Sequence, residues 1–219
     1  LLFLSNIFAA ETIAQTILPY NSQQYDQQIN RIYQTILNNP NDDVAARIDK
    51  VSQYFLGSPY FLFALGEGPT GQFDQNPLYR TDKFDCETFV DTTLALANAK
   101  NLEDFKNKVK RIRYKNGKIA YVNRNHFTSI DWNPNNEKAG FIKDVTTALG
   151  IPYKRVNQMI NKPSWFNTKQ TDSLKLLQPI SPQQQIVLLQ QLRNQAKLVK
   201  SARSEIPYIP FAVLYQKRG

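Results

Sequence analysis

Apolar residues recur with a helical period along most of the chain. In residues 22–38 they share one 3.6-residue face, and Pro40 ends the predicted helix because proline cannot continue it. A second helix is predicted to start at a cap on Asn41 or Asp42 and to stop before Gly57. The N-terminal part of the chain therefore reads as helical.

Three further helices are predicted beyond residue 80. Asp85 caps the first of them, whose predicted buried positions are Phe89, Val90, Leu94 and Ala97. Asn101 caps the next one, and Ser181 followed by a proline opens a long helix that runs to about Ser201.

Strand signals are few and short. A turn at Asn116-Gly117 precedes a predicted strand at 118–122, residues 124–132 read as mixed strand and loop, and 211–215 read as a last strand. Residues 161–179 look irregular. Several helices with a few strands predict an α+β fold.

Charge is distributed unevenly along the 219 residues. Up to Ala99 there are 5 basic and 11 acidic residues, and from Lys100 onward there are 22 basic and 7 acidic. This polarity favours either a solvated basic face or a surface for an anionic partner. Because the basic half has no zinc-finger spacing, no aromatic RNP-like strand and no long arginine run, we expect no nucleic-acid partner.

Cysteine and histidine usage narrows the chemistry. One cysteine excludes an internal disulfide framework, and one histidine argues against most zinc sites, so we expect no metal and no other cofactor. No apolar run reaches the roughly 18 residues of a membrane span. Residues 1–10 read as the remnant of a secretory signal peptide, which indicates an exported, periplasmic protein.

Cys86 falls in the first turn of a predicted helix. Backbone N–H groups and the helix dipole stabilise a thiolate there, and the thiolate is the nucleophilic form of cysteine. The alternative is a small buried hydrophobic residue, which is a common role of an unpaired cysteine.

Several ordered blocks of the sequence resemble one family. Residues 84–90 (FDCETFV) resemble the D-C-x-x-F-V nucleophile segment of the NlpC/P60 cysteine peptidases, which cleave peptidoglycan. Residues 121–127 (YVNRNHF) resemble the DUF1460 branch, which is described as N-acetylmuramoyl-L-alanine amidase-like. The blocks 131–146, 161–165 (NKPSW) and 206–210 (IPYIP) fit the same branch, so the resemblance spans about residue 20 to the C-terminus.

The resemblance implies a papain-like fold in which the cysteine helix packs on an antiparallel sheet that supplies the histidine. It also implies a single domain over residues 20–219. We find neither the H-x-G context nor the G-D-[IV]-[IV] strand that the wider superfamily shows, so we expect the domain to be incomplete at its C-terminal end.

His126 has three readings. It could be the general base for Cys86, with Asp144 or Asn136 orienting the ring as a third member of a triad. It could instead bind substrate beside Arg124 and its neighbours, or hold the surrounding loop together. The predicted catalytic residues are Cys86, His126 and Asp144.

The resemblance also suggests substrate contacts. The predicted substrate-binding residues are Tyr79, Asp85, Arg124, Asn125, Trp132 and Asn136. Asp85 would serve equally as a plain helix cap, and Trp165 suits core packing better than sugar contact. A basic cluster of Arg111, Arg113, Lys115 and Arg124 could attract substrate carboxylates or be a solvated helix face.

Taken together, the resemblance implies a cell-wall amidase that acts on peptidoglycan fragments (muropeptides), and we expect the protein to be a monomer. The expected bond is the amide between N-acetylmuramic acid and L-alanine, cleaved through a thioester acyl-enzyme. Two alternatives stay open: a γ-D-glutamyl endopeptidase with the same chemistry, and a non-catalytic muropeptide-binding fragment.

Overall fold

Short polar caps start the first helices close to where the sequence predicts. In the computed structural model, which describes residues 21–215, Asn21 caps α1 (Ser22–Thr35) and Asp43 caps α2 (Val44–Tyr54). Each cap oxygen accepts a hydrogen bond from a backbone N–H in the first turn, where no intrahelical acceptor exists. The predicted signal-peptide remnant at residues 1–10 lies outside the described residues.

The cysteine helix lies between two other helices. α3 (Cys86–Asn98) packs on α2 and on α4 (Leu102–Arg113), and α4 also contacts α1. The core of this layer is apolar and includes Ile29, Ile32, Val51, Phe55, Phe84, Leu96, Phe105, Val109 and Ile112. Burial of these side chains is the main source of stability for the layer.

α3 buries a more polar face than the sequence predicts. Val90 is 43% exposed, whereas Asp91, Thr92 and Leu96 are almost completely buried. The short threonine and alanine side chains of that face let the neighbouring helices approach, and Asp91 has a hydrogen-bond partner from another element. The prediction that Val90 lies in the core is therefore wrong.

Arg47 of α2 fastens the C-terminal end of α3. Its Nε donates to Ala97 O at 2.6 Å, and its Nη2 donates to Ala99 O at 2.6 Å and to Leu96 O at 3.2 Å. The last carbonyls of a helix have no intrahelical donor and carry partial negative charge. The Arg47 guanidinium group supplies these carbonyls with donors and with positive charge, so it stabilises the contact between α2 and α3.

The segment after α4 forms turns rather than the predicted strands. Asn116 and Gly117 adopt left-handed φ values of 55° and 69°, as expected for an Asn-Gly turn. The predicted strand at 118–122 is wrong, because this stretch leads into a 3₁₀ turn at Tyr121–Asn123. Residues Thr128–Trp132 form a π-helical turn. Among the described residues of this segment, the strand-like pairing is an isolated bridge between Tyr114 and Arg124. One bridge is too short to form a strand.

The C-terminal half mixes short helices with one small sheet. Its elements are α5 (Asn133–Lys138), β1 (Lys154–Ile160), α6 (Lys162–Asn167), α7 (Pro182–Ala196), β2 (Ala202–Tyr208) and α8 (Phe211–Tyr215). β1 and β2 pair antiparallel, with Lys154 opposite Tyr208 and Ile160 opposite Ala202. Residues 161–179 are thus partly helical, and the predicted strand at 211–215 is wrong because a helix follows Pro210.

A second apolar cluster holds this half together. Phe73, Tyr121, Phe166, Leu192 and Ala196 are all buried in it. It joins α6 and α7 to the 3₁₀ turn that precedes His126. No helix among residues 21–215 is long and apolar enough to cross a lipid bilayer.

The sheet and the cysteine helix have different neighbours. β2 packs on the Thr128–Trp132 turn and on a 3₁₀ turn at Thr146–Leu149, whereas α3 packs chiefly on α2 and α4. The result is a mixed helical fold with a small antiparallel sheet, in which the described sheet is not the main support of Cys86.

Candidate active site

Asp85 fixes the start of the cysteine helix. Its Oδ1 accepts a hydrogen bond from the Thr88 N–H at 2.9 Å, and Thr88 Oγ1 accepts one from the Asp85 N–H at 2.9 Å. This reciprocal capping box confirms the predicted helix start. It also leaves Cys86 as the first helical residue, where unpaired backbone N–H groups surround the side chain.

The Cys86 thiol is exposed and lies at a mostly apolar cavity of about 270 Å³. The other residues that line this cavity are Phe55, Leu56, Gly57, Ser58, Tyr60, Phe84, Asp85 and Phe89. Large apolar side chains continue around it on the surface, since Leu56 is 76% exposed and Tyr60 is 70% exposed. The position suits an accessible nucleophile and argues against a buried structural cysteine.

His126 is held in an aromatic surround. Its Nε2 lies 2.7 Å from Tyr121 O and donates to that carbonyl, so Nε2 carries the proton of the neutral ring. The ring centroid lies 4.9 Å from that of Tyr121, 4.8 Å from that of Trp165 and 5.5 Å from that of Phe166. Burial among these rings, together with the nearby Arg124 guanidinium, holds the pKa of His126 well below its usual value.

No hydrogen bond joins Cys86 to His126 in the part of the chain that the structure describes. The two residues open instead onto neighbouring cavities. A middle cavity of about 160 Å³ is lined by Phe63, Leu65, Asp85, Glu87, Thr88, Arg113, Arg124, His126 and Trp165. Asp85 also lines the Cys86 cavity, so the middle cavity lies between that cavity and the side chain of His126.

Arg124 directs its donors into the protein. Its Nε donates to Glu67 Oε1 at 2.9 Å, and its Nη2 bonds both Glu67 Oε1 and Asp74 Oδ2. Glu67 and Asp74 are almost fully buried, and burial raises the pKa of Glu67. The guanidinium thus balances two buried carboxylates, which is a structural task beside its predicted contact with substrate.

Asn125 and Asn136 close the end of α4. Asn125 Nδ2 donates to Ile112 O at 2.8 Å, and Asn136 Nδ2 donates to the same oxygen at 3.1 Å. Asn125 also accepts from Asn135 Nδ2 at 2.6 Å and borders a large cleft described below. Asn136 is fully buried, so its amide supports the backbone of the site region.

Trp132 is bound to a buried acid that the sequence analysis missed. Trp132 Nε1 donates to Asp91 Oδ1 at 2.8 Å, and Arg113 Nε lies 3.7 Å from Asp91 Oδ2. Burial, opposed by Arg113, raises the pKa of Asp91 to about 7. The sequence does show an acidic residue five positions after Cys86 on the same predicted helix. Only the fold shows that this residue points into the protein.

Tyr79 and Asp144 lie away from these cavities. The Tyr79 hydroxyl donates to Asp26 Oδ1, and its ring meets Phe105 edge to face at 5.4 Å, so this residue joins α1 to α4. Asp144 is exposed and accepts a hydrogen bond from the Thr146 N–H at 2.8 Å, and this bonding to Thr146 lowers the pKa of Asp144. Among residues 21–215 the structure brings neither residue to Cys86 or to His126.

The basic cluster predicted from the sequence is split up. Arg113 is buried and donates to Leu78 O at 2.7 Å and to Gly66 O at 3.0 Å, while Arg111 lies over the Phe141 ring. Arg111 and Lys115 are exposed, and neither has an acidic partner in the described residues. A search of the same residues finds no group of three or more His, Cys, Asp or Glu side chains that could hold a metal ion.

Comparison with known proteins identifies the family. The profile of the AmiA-like family, described as N-acetylmuramoyl-L-alanine amidase-like, matches residues 50–218. The chain belongs to this family, which confirms the resemblance to DUF1460. No curated protein matches the chain.

Solved structures show the same relationship. A Legionella pneumophila protein of the DUF1460 family is 42% identical, with a TM-score of 0.83, over 90% of this chain and 66% of its own. A Bacteroides uniformis N-acetylmuramoyl-L-alanine amidase is 25% identical, with a TM-score of 0.51, over 78% of this chain. This chain spans 66% of that amidase as well.

Proposed function

We propose that this protein hydrolyses an amide bond in peptidoglycan fragments, with Cys86 as the nucleophile. The observation that carries the proposal is the family match over residues 50–218, which includes Cys86. The exposed thiol at the first residue of α3 supports it, because a nucleophile must be reachable by substrate. A cysteine at a helix start is also the element that papain-like NlpC/P60 peptidases share, and we include that kinship in the proposal.

The chemistry follows from the position of the thiol. The thiolate attacks the amide carbonyl carbon, and the electron pair of the C=O bond moves onto the oxygen. Unpaired N–H groups in the first turn of α3 are suitable donors for this oxyanion. Collapse of the intermediate breaks the C–N bond, and the leaving amine takes up a proton from water. Water then hydrolyses the thioester to the free carboxylate and releases Cys86.

The bond we propose is the amide between the lactyl group of N-acetylmuramic acid and L-alanine. The description of the family and the name of the Bacteroides uniformis relative support this choice. Its products are a peptide with a free amino terminus and a sugar with a free lactyl carboxylate. Such a substrate lies outside the cytoplasmic membrane, so the proposal includes an extracellular or periplasmic location for a monomeric enzyme.

We assign His126 to the wall of the middle cavity rather than to proton transfer from Cys86. Its Nε2–H donates to Tyr121 O, which leaves Nδ1 as the basic nitrogen, and the lowered pKa makes that nitrogen a weak base. In the described residues the ring contacts Trp165 and Phe166 and not the thiol. A comparison of His126→Ala with Cys86→Ala tests whether His126 is the general base.

The deciding experiment is mass spectrometry of purified disaccharide-peptides incubated with the protein. The expected products are the reducing disaccharide and a peptide that begins with L-alanine. Cys86→Ala and Cys86→Ser should yield no product while keeping the circular dichroism and melting temperature of the parent. Val90→Ser, an exposed change on the same helix, serves as the matched control and should stay active.

Each outcome has a definite meaning. Cleavage after γ-D-glutamate would replace the amidase assignment with endopeptidase activity of the same nucleophile. Full activity of Cys86→Ala would contradict the proposed mechanism altogether.

A further inference from the structure

A large cleft among the described residues adjoins the middle cavity. It has a volume of about 650 Å³ and shares Arg124 and His126 with the middle cavity. The middle cavity in turn shares Asp85 with the cavity at the thiol. The three cavities therefore lie next to one another, with the nucleophile at the first and the large cleft as the third.

Two lysines give the cleft an unbalanced positive charge. Of the four cationic side chains that line it, Arg124 is neutralised by Glu67 and Asp74, and Lys162 forms an ion pair with Asp131. The other two, Lys115 and Lys200, are exposed, and no acidic group among residues 21–215 pairs with either. They come from distant parts of the sequence, and the fold places both at the same cleft.

The rest of the lining is amphipathic. Phe127, Leu198 and Val199 supply apolar surface, and Asn123 and Asn135 supply amide groups. A small concave site with apolar walls suits a short peptide better than an extended polyanion, which needs a long basic track. Free ammonium groups at its edge add attraction for an anionic group on that peptide.

We propose that the cleft formed by Lys115 and Lys200 binds a free carboxylate on the peptide stem of the substrate while Cys86 acts on the distant amide. This inference rests on the proposed function and adds to it a preference for stems that carry free carboxylates over stems in which they are amidated. The cleft also defines the direction of the substrate, with the sugar side toward α3 and the peptide side toward α7.

The test compares kcat/KM for two muropeptides that differ only in amidation of the stem carboxylates. The parent protein should prefer the free acid by about twofold to thirtyfold, the range expected from two exposed charge pairs. Lys115→Gln/Lys200→Gln should bring this ratio close to one. Lys118→Gln/Lys197→Gln, which removes the same charge outside the lining of the cleft, should keep the parental ratio.

The preference should also fall as the salt concentration rises, because exposed charges are screened. Calorimetry with Cys86→Ala measures the affinity for each muropeptide in the absence of hydrolysis. Equal ratios in the two double variants, or equal binding of the acid and the amide to Cys86→Ala, would overturn the inference. Absence of hydrolysis with a retained binding preference would instead count against the proposed function alone.

Discussion

Asp85 Oδ2 accepts a hydrogen bond from the Phe63 N–H at 3.1 Å, while the other oxygen of the same carboxylate caps α3. One side chain thus joins the apolar loop before the site to the helix that begins with Cys86. Phe63 has a φ of 57°, a left-handed conformation that is unfavourable for a residue with a Cβ atom. The hydrogen bond helps to hold that conformation beside the thiol.

Replacing Asp85 should therefore affect stability and catalysis together. Asp85→Ala removes the cap and the bond to Phe63, and should lower the free energy of unfolding by about 1–3 kcal/mol. It should also lower kcat/KM on muropeptides, because the first turn that carries Cys86 loosens. Asp85→Asn keeps an oxygen for the cap and should lose less of both. Urea unfolding and muropeptide kinetics measure the two effects, and an unchanged stability of Asp85→Ala would contradict the capping role.

His126→Ala should destabilise the protein more than it disables the chemistry. Loss of the ring leaves a gap between Tyr121, Trp165 and Phe166 and leaves a carbonyl without its donor, which should cost about 2–4 kcal/mol. The kcat of this variant should remain well above that of Cys86→Ala, measured at a temperature where both are folded. Equal loss of kcat in the two variants, with little loss of stability, would restore His126 as the general base.

Asp91 and His126 should give opposite pH dependences of stability. The pKa of Asp91 is raised from 3.8 to about 7, so the folded state holds a proton that the unfolded chain releases, and stability falls as pH rises from about 4 to 7. The pKa of His126 is lowered, so stability falls as pH drops below about 6.5. In the parent protein the two contributions partly cancel.

Asp91→Asn should expose the histidine contribution. On acidification from pH 7 to 5 its unfolding free energy should fall more steeply than that of the parent, by about 1 kcal/mol per pH unit. The charged groups that bear on Asp91 are Arg113, Glu87 and Asp85, and they are unchanged in this variant. Glu103→Gln, an exposed acid near the start of α4, is the control. Parallel pH profiles for Asp91→Asn and the parent would show that Asp91 is ionised throughout.

Replacing Arg124 should mainly lower the free energy of unfolding. Arg124→Ala leaves Glu67 and Asp74 buried without their cation and should cost about 3–5 kcal/mol in urea unfolding. Arg124→Lys should recover only part of this, because one ammonium group does not reproduce the forked geometry of the guanidinium. Adding Glu67→Gln to Arg124→Ala should restore stability by removing one uncompensated charge. A normal stability of Arg124→Ala with a raised KM would favour the substrate contact predicted from the sequence.

The sequence by itself determined the starts of the capped helices and the place of the thiol. Caps such as Asp85, Asn101 and Ser181 act within three residues of their own position, so the starts of α3, α4 and α7 follow from local chemistry. The same locality puts Cys86 in a first turn, and the ordered blocks around it indicate the family. These features need no knowledge of distant residues.

Only the tertiary structure decided the strands and the polar interior. β1 and β2 exist through pairing of residues that lie 42 to 54 positions apart in the sequence. Residues 118–122 stay out of a sheet because nothing among the described residues pairs with them. Three further features also depend on residues that are distant in the sequence. Asp91 points inward, Arg124 pairs with two buried acids, and Lys115 and Lys200 line the same cleft. A charged side chain goes where it finds its counter-charge or solvent, and that is a property of the packed chain rather than of its neighbours in sequence.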